Sequence, residues 1–175
     1  MNGAHSRLRV IVAAPGSDPP FPLDAVVVEE DTYLVLGAEP VAKETHEPPE
    51  RTLEEAEARE PQIPGTVVVK EETPLRFLAV VHDLDEEPSW REEWVARALV
   101  AALQEAEARR IRSLSLPMLG TLHGSLETQR FVELLQEALA STWLGRLENV
   151  WLVAPTDVPR HIFERLRELD VDLES

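Results

Sequence analysis

A chain of 175 residues with 43% hydrophobic content is long enough for one domain with a sizeable core, whereas two domains would each be small. Its 33 acidic against 17 basic side chains give a formal net charge of −16, which sets the overall field against a non-specific grip on nucleic acid or on an anionic membrane. Without cysteine there is no disulfide frame, thiolate nucleophile or cysteine-based zinc site, and nowhere do about 18 apolar residues run together as a membrane span requires.

The N-terminal "MNGAHSRLRVIVAA" carries an apolar run too short, and too soon followed by Pro15 and Gly16, for a secretory signal. The expectation is a soluble, cytoplasmic protein of one domain over 1–175. Only Lys43 and Lys70 among the basic residues are lysine, and Ala, Leu, Glu and Pro are heavily used, as a GC-rich bacterial gene would give.

In chain order, "LRVIVAA" (8 to 14) and "DAVVVEE" (24 to 30) read as strands, because continuous apolar runs of this length suit strands covered on both faces. The segment 39–64 differs: it holds five prolines and eight glutamates, with little that is large and apolar besides Val41, Leu53 and Ile63. Within it "RTLEEAEARE" reads as a short surface helix capped by Thr52, and the flanks as loop. Further strands follow in "GTVVVKE" (65 to 71) and "RFLAVVHD" (76 to 83).

"SWREEWVARALVAALQEAEARR" is the clearest helix. Ser89 and Glu92 stand at capping-box spacing, and Trp90, Trp94, Val95, Ala98, Leu99, Ala102, Leu103 and Ala106 share one face. The dense basic stretch Arg109 to Arg112 reads as the helix end, where cations favour the macrodipole.

"RSLSLP" (112 to 117) is the next strand. Ser125 is placed to cap a helix through about Ala140 with Phe131, Leu134, Leu135, Ala138 and Leu139 buried. The strand "NVWLVAP" (149 to 155) and a helix "VPRHIFERLRELD", capped by Thr156 or Asp157, close the chain. Alternating strands and helices predict a three-layer α/β/α architecture on a mixed, largely parallel sheet.

The five histidines, at 5, 46, 82, 123 and 161, include no pair at the i, i+4 spacing of a helical metal site. Asp83, Asp85, Glu86 and Glu87 lack the spacing of a calcium loop and read as a solvated connection. Ser113 and Ser115 alternate with leucines as strand residues and fall into no triad frame. No metal and no cofactor is implied.

Three portions, 15–40, 64–85 and 112–139, resemble the macro domain in their order and spacing. They include "PGSDPPFPLDAVVVEED", "LAVVHD" and "LPMLGTLHGS". That family is an α/β fold whose usual ligand is ADP-ribose.

The resemblance implies that Gly16, Ser17, Gly37, Gly120, Thr121, His123, Gly124 and Ser125 contact ligand, and that Asp31 positions a water. The loop 120–124 and the helix opening at Ser125 would hold phosphate. His123 would face the ligand, as phosphate donor or acid–base group, or else be an exposed turn residue. His82 matches a histidine common at the end of that strand and reads as buried and hydrogen-bonded.

Departures from the family pattern are plain. Ser17 stands where the family has the aspartate that reads adenine, and Val28, Glu29, Glu30 and Asp31 replace its Asn-Ala-Ala-Asn element. "LGAEP" (36 to 40) replaces a glycine run, and Leu122 replaces the middle glycine of the phosphate loop, where Cβ costs room and conformational freedom.

Two functions follow as expectations. One is a domain binding ADP-ribose or a related nucleotide or phosphate ligand, with weak or absent hydrolase activity. The other is a non-catalytic interaction or structural module whose protein-partner surface is the acidic 39–64 segment.

Overall fold

A computed structural model describes residues 8–14, 16–36, 61–121 and 125–154. The connection helix expected at 51–60 and the closing helix after Val153 lie outside the described residues.

The expected strands form: β1 (Arg9–Ala13), β2 (Ala25–Asp31), β3 (Val67–Lys70), β4 (Leu75–His82), β5 (Ser113–Pro117) and β6 (Asn149–Val153). They make one six-stranded sheet in the order β1-β6-β5-β2-β4-β3. All neighbours run parallel except β3, which is antiparallel to β4 at the edge. The sheet is therefore mixed and largely parallel, as expected.

Helices α1 (Glu92–Ala108) and α2 (Thr128–Ser141) follow β4 and β5 in sequence. Alternate strand residues, among them Val10, Val27, Phe77, Ala79, Leu114, Leu116, Val150 and Leu152, meet the buried stripes of the two helices in one core. The stripes are the ones the helical periodicity gives, except that Trp90 precedes α1. Leu78, Val80 and Trp151 on the other face are buried too, so β4 and β6 are covered on both sides as their unbroken apolar runs imply.

Both helix starts differ from the expectation. α1 begins after Arg91, which is extended and gives no side-chain cap. Ser89 instead offers its carbonyl to the Asp83 N–H, and Trp90 bridges antiparallel to His82. The chain is still being held against the end of β4 when the capping-box pattern would have it turning into helix. α2 starts at Thr128 with Glu127 as an uncapping N-cap residue, because Leu126 N–H is tied back to the Gly120 carbonyl and keeps Ser125 in the preceding turn.

At the end of α1 the last turn holds no basic residue, and the basic stretch begins at the C-cap, Arg109, directly beyond Ala108. Arg109 pairs its side chain with Glu105 and Glu71, which raises its pKa through those hydrogen bonds. Arg110 N–H bonds the Glu107 carbonyl and Ile111 N–H bonds that of Ala106, the Schellman pattern that closes a helix. Its left-handed residue, usually glycine, is here Arg110 at φ 58°. That conformation costs an arginine about 1 kcal/mol relative to glycine.

Candidate functional site at the strand ends

In open α/β sheets ligands sit beyond the carboxyl ends of the strands. There the described part of the sequence-predicted set is gathered: Gly16 and Ser17 after β1, Asp31 ending β2, Gly120 and Thr121 after β5, and Ser125 just beyond. Gly37, His123 and Gly124 lie outside the described residues.

Gly16 has φ 79° and open space where a Cβ would stand, while Ser17 closes a turn by donating its N–H and hydroxyl to the Ala14 carbonyl. Ser125 is exposed.

Asp31 is 1% exposed, and its carboxylate is wrapped by the backbone that follows it. It accepts N–H bonds from Tyr33 at 2.7 Å, Val35 at 3.2 Å and Leu36 at 2.6 Å. Leu34, at φ 60°, takes the left-handed step that lets the loop curl back, and its N–H bonds the Asp31 carbonyl. A carboxylate expected to position a water is thus buried and engaged by three amides. The last of them, Leu36, opens the 36–40 stretch that stands where the family has its glycine run.

The second carboxylate is one to which the sequence reading gave no role. Glu29 Oε1 accepts the Gly120 N–H at 2.7 Å, and Oε2 lies 2.6 Å from His82 Nε2. All three groups are buried, so Glu29 ties together β2, the end of β4 and the loop after β5. His82 is the buried, hydrogen-bonded residue that its place suggested.

The loop 118–121 is closed on itself as well. Thr121 N–H and hydroxyl both bond the Met118 carbonyl, and Gly120, at φ 81°, would put a Cβ 3.2 Å from Val95 Cγ2. Gly120 is glycine for packing on α1 and for its positive φ, whatever the loop holds.

At the same end of the sheet, the Tyr33 hydroxyl donates to Asp85, and Asp83 accepts the Asp85 N–H. The Tyr33 pKa is raised above the usual phenol value, first by the hydrogen bond to Asp85, then by desolvation and by the charges of Asp85 and Asp83. A folded-state pKa above the unfolded one means stability present below about pH 10 and lost as pH rises through the folded value. Tyr33 is the only tyrosine, so phenolate absorbance reports it alone. Its native titration will lie above that of the urea-unfolded chain, and Asp85→Asn will lower it; coincident native and unfolded curves would show the contact does not persist in solution.

Among the described residues the buried Thr32 hydroxyl finds no partner, although its N–H bonds the His82 carbonyl and its own carbonyl accepts from Gln62. Among the described residues no group of three acidic or histidine side chains could hold a metal ion. None of the described helices is long and apolar enough to cross a membrane. A cleft of about 450 Å³ lies at the opposite, amino-terminal ends of β2 and β4, lined by Leu23, Asp24 and residues 71–75. Its acids are engaged: Asp24 accepts the Arg112 and Ser113 N–H groups, Glu71 pairs with Arg109, and Glu72 with Arg76.

No family model matches the sequence, and no curated protein shows significant similarity to it. Solved structures do match. The macrodomain of Thermus aquaticus DarG is 23% identical, with a TM-score of 0.59, over 83% of this chain and 99% of that one. The Oceanobacillus iheyensis macrodomain solved with ADP is 15% identical, with a TM-score of 0.63, over 98% of this chain and 93% of that one. A mutant of the latter solved with ADPR gives a TM-score of 0.61 at 15% identity over 98% and 95% of the two chains. Over nearly its whole length, the chain has the macrodomain fold.

Proposed function

We propose that the chain is a non-hydrolytic interaction module on the macrodomain fold, a single domain whose strand-end crevice is filled by its own carboxylates. The observation that carries this reading is the Asp31 carboxylate sitting on the N–H groups of Tyr33, Val35 and Leu36. Backbone amides curled in this way make an anion nest, and a nest already holding a buried carboxylate repels a second anion. At a few ångströms and surface-like dielectric that repulsion is about 4 kcal/mol per unit charge, enough to weaken a diphosphate contact by orders of magnitude. Glu29 acts likewise on the Gly120 N–H. The partner surface of this module is the acidic 39–64 segment, with its eight glutamates.

The competing reading, an ADP-ribose-binding domain with weak hydrolase activity, is favoured by the fold's likeness to macrodomains solved with ADP and ADPR. Thermal-shift titration separates the two. A ligand at 100 times its dissociation constant adds about 2.7 kcal/mol of stability, which raises the melting temperature by several degrees. We expect no shift with millimolar ADP-ribose and no turnover of an ADP-ribose ester; a saturable shift would establish the competing reading.

A further inference from the structure

We propose that the amino-terminal end of β1, β6 and β5, opposite the crevice, is an interaction surface that receives the acidic 39–64 segment of a second copy of this chain. The inference rests on the interaction-module reading and names its partner.

Four arginines meet there. Arg9 opens β1, Arg112 directly precedes β5, Arg110 lies two residues earlier in the α1 cap, and Arg146 is in the loop before β6. Backbone bonds from Arg9 N–H to the Glu148 carbonyl, and from Glu148 and Asn149 N–H to the Arg112 carbonyl, hold three of these segments side by side. Glu107 draws in the fourth by accepting the Gly145 and Arg146 N–H groups.

All four arginines are exposed. Among the described residues none forms an ion pair, nor does Arg97 on α1, whereas Arg76, Arg91, Arg109 and Arg130 each have an acidic partner. Glu148, Asp24 against the Arg112 and Ser113 N–H groups, and Glu107 are acids at the same end, so the four arginines leave a local surplus of one positive charge on a chain of net charge −16.

Two further observations mark this end as more than a solvated edge. Arg110 holds a left-handed position that glycine fills at less cost, so the side chain is kept where the backbone disfavours it. Trp143, in the loop beside Arg146, is 79% exposed and lies over Gly145. Arginine and tryptophan are the residues that most often anchor protein interfaces, and arginine's fork matches carboxylates two oxygens at a time.

The occupant follows from charge. Adjacent strand ends lie about 5 Å apart, so the patch spans roughly 10 to 15 Å, more than the screening length of about 8 Å at physiological salt. Copies therefore sense each other's local patches more than their net charge. Residues 39–64 supply eight glutamates against Lys43, Arg51 and Arg59, with Val41 and Leu53 as apolar anchors for Trp143. Contact between two different surfaces is head to tail, so it propagates with concentration unless a ring closes.

Sedimentation of the full chain tests this. We expect association that rises with protein concentration, falls with added salt, and is competed by a synthetic peptide of residues 39–64. Arg110→Gly suits the helix cap and should keep or raise the melting temperature, yet weaken association several-fold. Arg112→Glu with Arg146→Glu should weaken it at least ten-fold.

Association unchanged in both variants, or a monomer at every concentration, would overturn the inference. So would binding of an oligo-dT strand at this end without binding of the peptide. None of these outcomes bears on ADP-ribose, so the non-hydrolytic reading stands or falls separately on its own titration.

Discussion

Replacing Glu29 by alanine will lower the unfolding free energy by about 3 to 5 kcal/mol, read as a large fall in the urea midpoint at unchanged slope. The carboxylate makes two buried contacts, with the Gly120 N–H and with His82 Nε2. A hydrogen bond to a charged group contributes about 1.5 to 3 kcal/mol, and a buried donor that loses its acceptor bears its full desolvation cost. In Glu29→Ala the Gly120 N–H has no acceptor, and His82 loses its carboxylate.

Glu29→Gln keeps the shape and one carbonyl oxygen, which can serve Gly120 or His82 but not both, so its loss should be about half that of alanine. A cost below about 1 kcal/mol for alanine would mean that the strand-end tie contributes nothing and that water replaces it. A Glu29–His82 double-mutant cycle apportions the rest, with a coupling of at least about 1 kcal/mol expected for groups in direct contact.

That tie also shows where sequence legibility stopped. The strands were readable because an apolar run of five to eight residues bounded by Pro, Gly or charge has few other uses in a chain of this composition. The buried stripes of α1 and α2 followed from period alone, since amphipathicity decides which helical face meets a sheet. Helix starts did not follow. Ser89 and Ser125 have the right chemistry for caps, but non-local bonds, Asp83 N–H to the Ser89 carbonyl and Leu126 N–H to the Gly120 carbonyl, compete with capping and win.

The site was half legible. That Gly16, Asp31 and Gly120 share one end of the sheet follows from parallel strands. What the carboxylates do there depends on strand order. Glu29 and His82 are 53 residues apart and meet because β4 lies directly beside β2, with β3 outside it at the sheet edge. The available signal was the polar ending common to two apolar strands, "VVVEED" and "AVVHD": buried polar groups at matched ends of strands seek each other.

Asp31 gives the second large effect, and it separates a structural from a hydrolytic role. Asp31→Ala removes the acceptor of three N–H groups, on residues that are only half buried, so water recovers part of the loss. A destabilisation of about 2 to 4 kcal/mol is expected, with faster hydrogen exchange confined to the amides of Tyr33, Val35 and Leu36. Asp31→Asn is the sharper variant. Its Oδ1 can still receive Tyr33, but the amide nitrogen in place of Oδ2 faces the N–H groups of Val35 and Leu36, donor against donor, so asparagine should recover less than half of the alanine loss.

Were Asp31 instead a water-positioning group, Asp31→Asn would leave stability intact and abolish turnover of an ADP-ribose ester. The self-filled nest requires the opposite pair of results: no turnover in the parent chain, and a stability loss in both variants. Opening the nest has one more consequence. With the internal charge gone, the freed amides become an unoccupied anion site, so inorganic phosphate should raise the melting temperature of Asp31→Ala while leaving that of the parent unchanged.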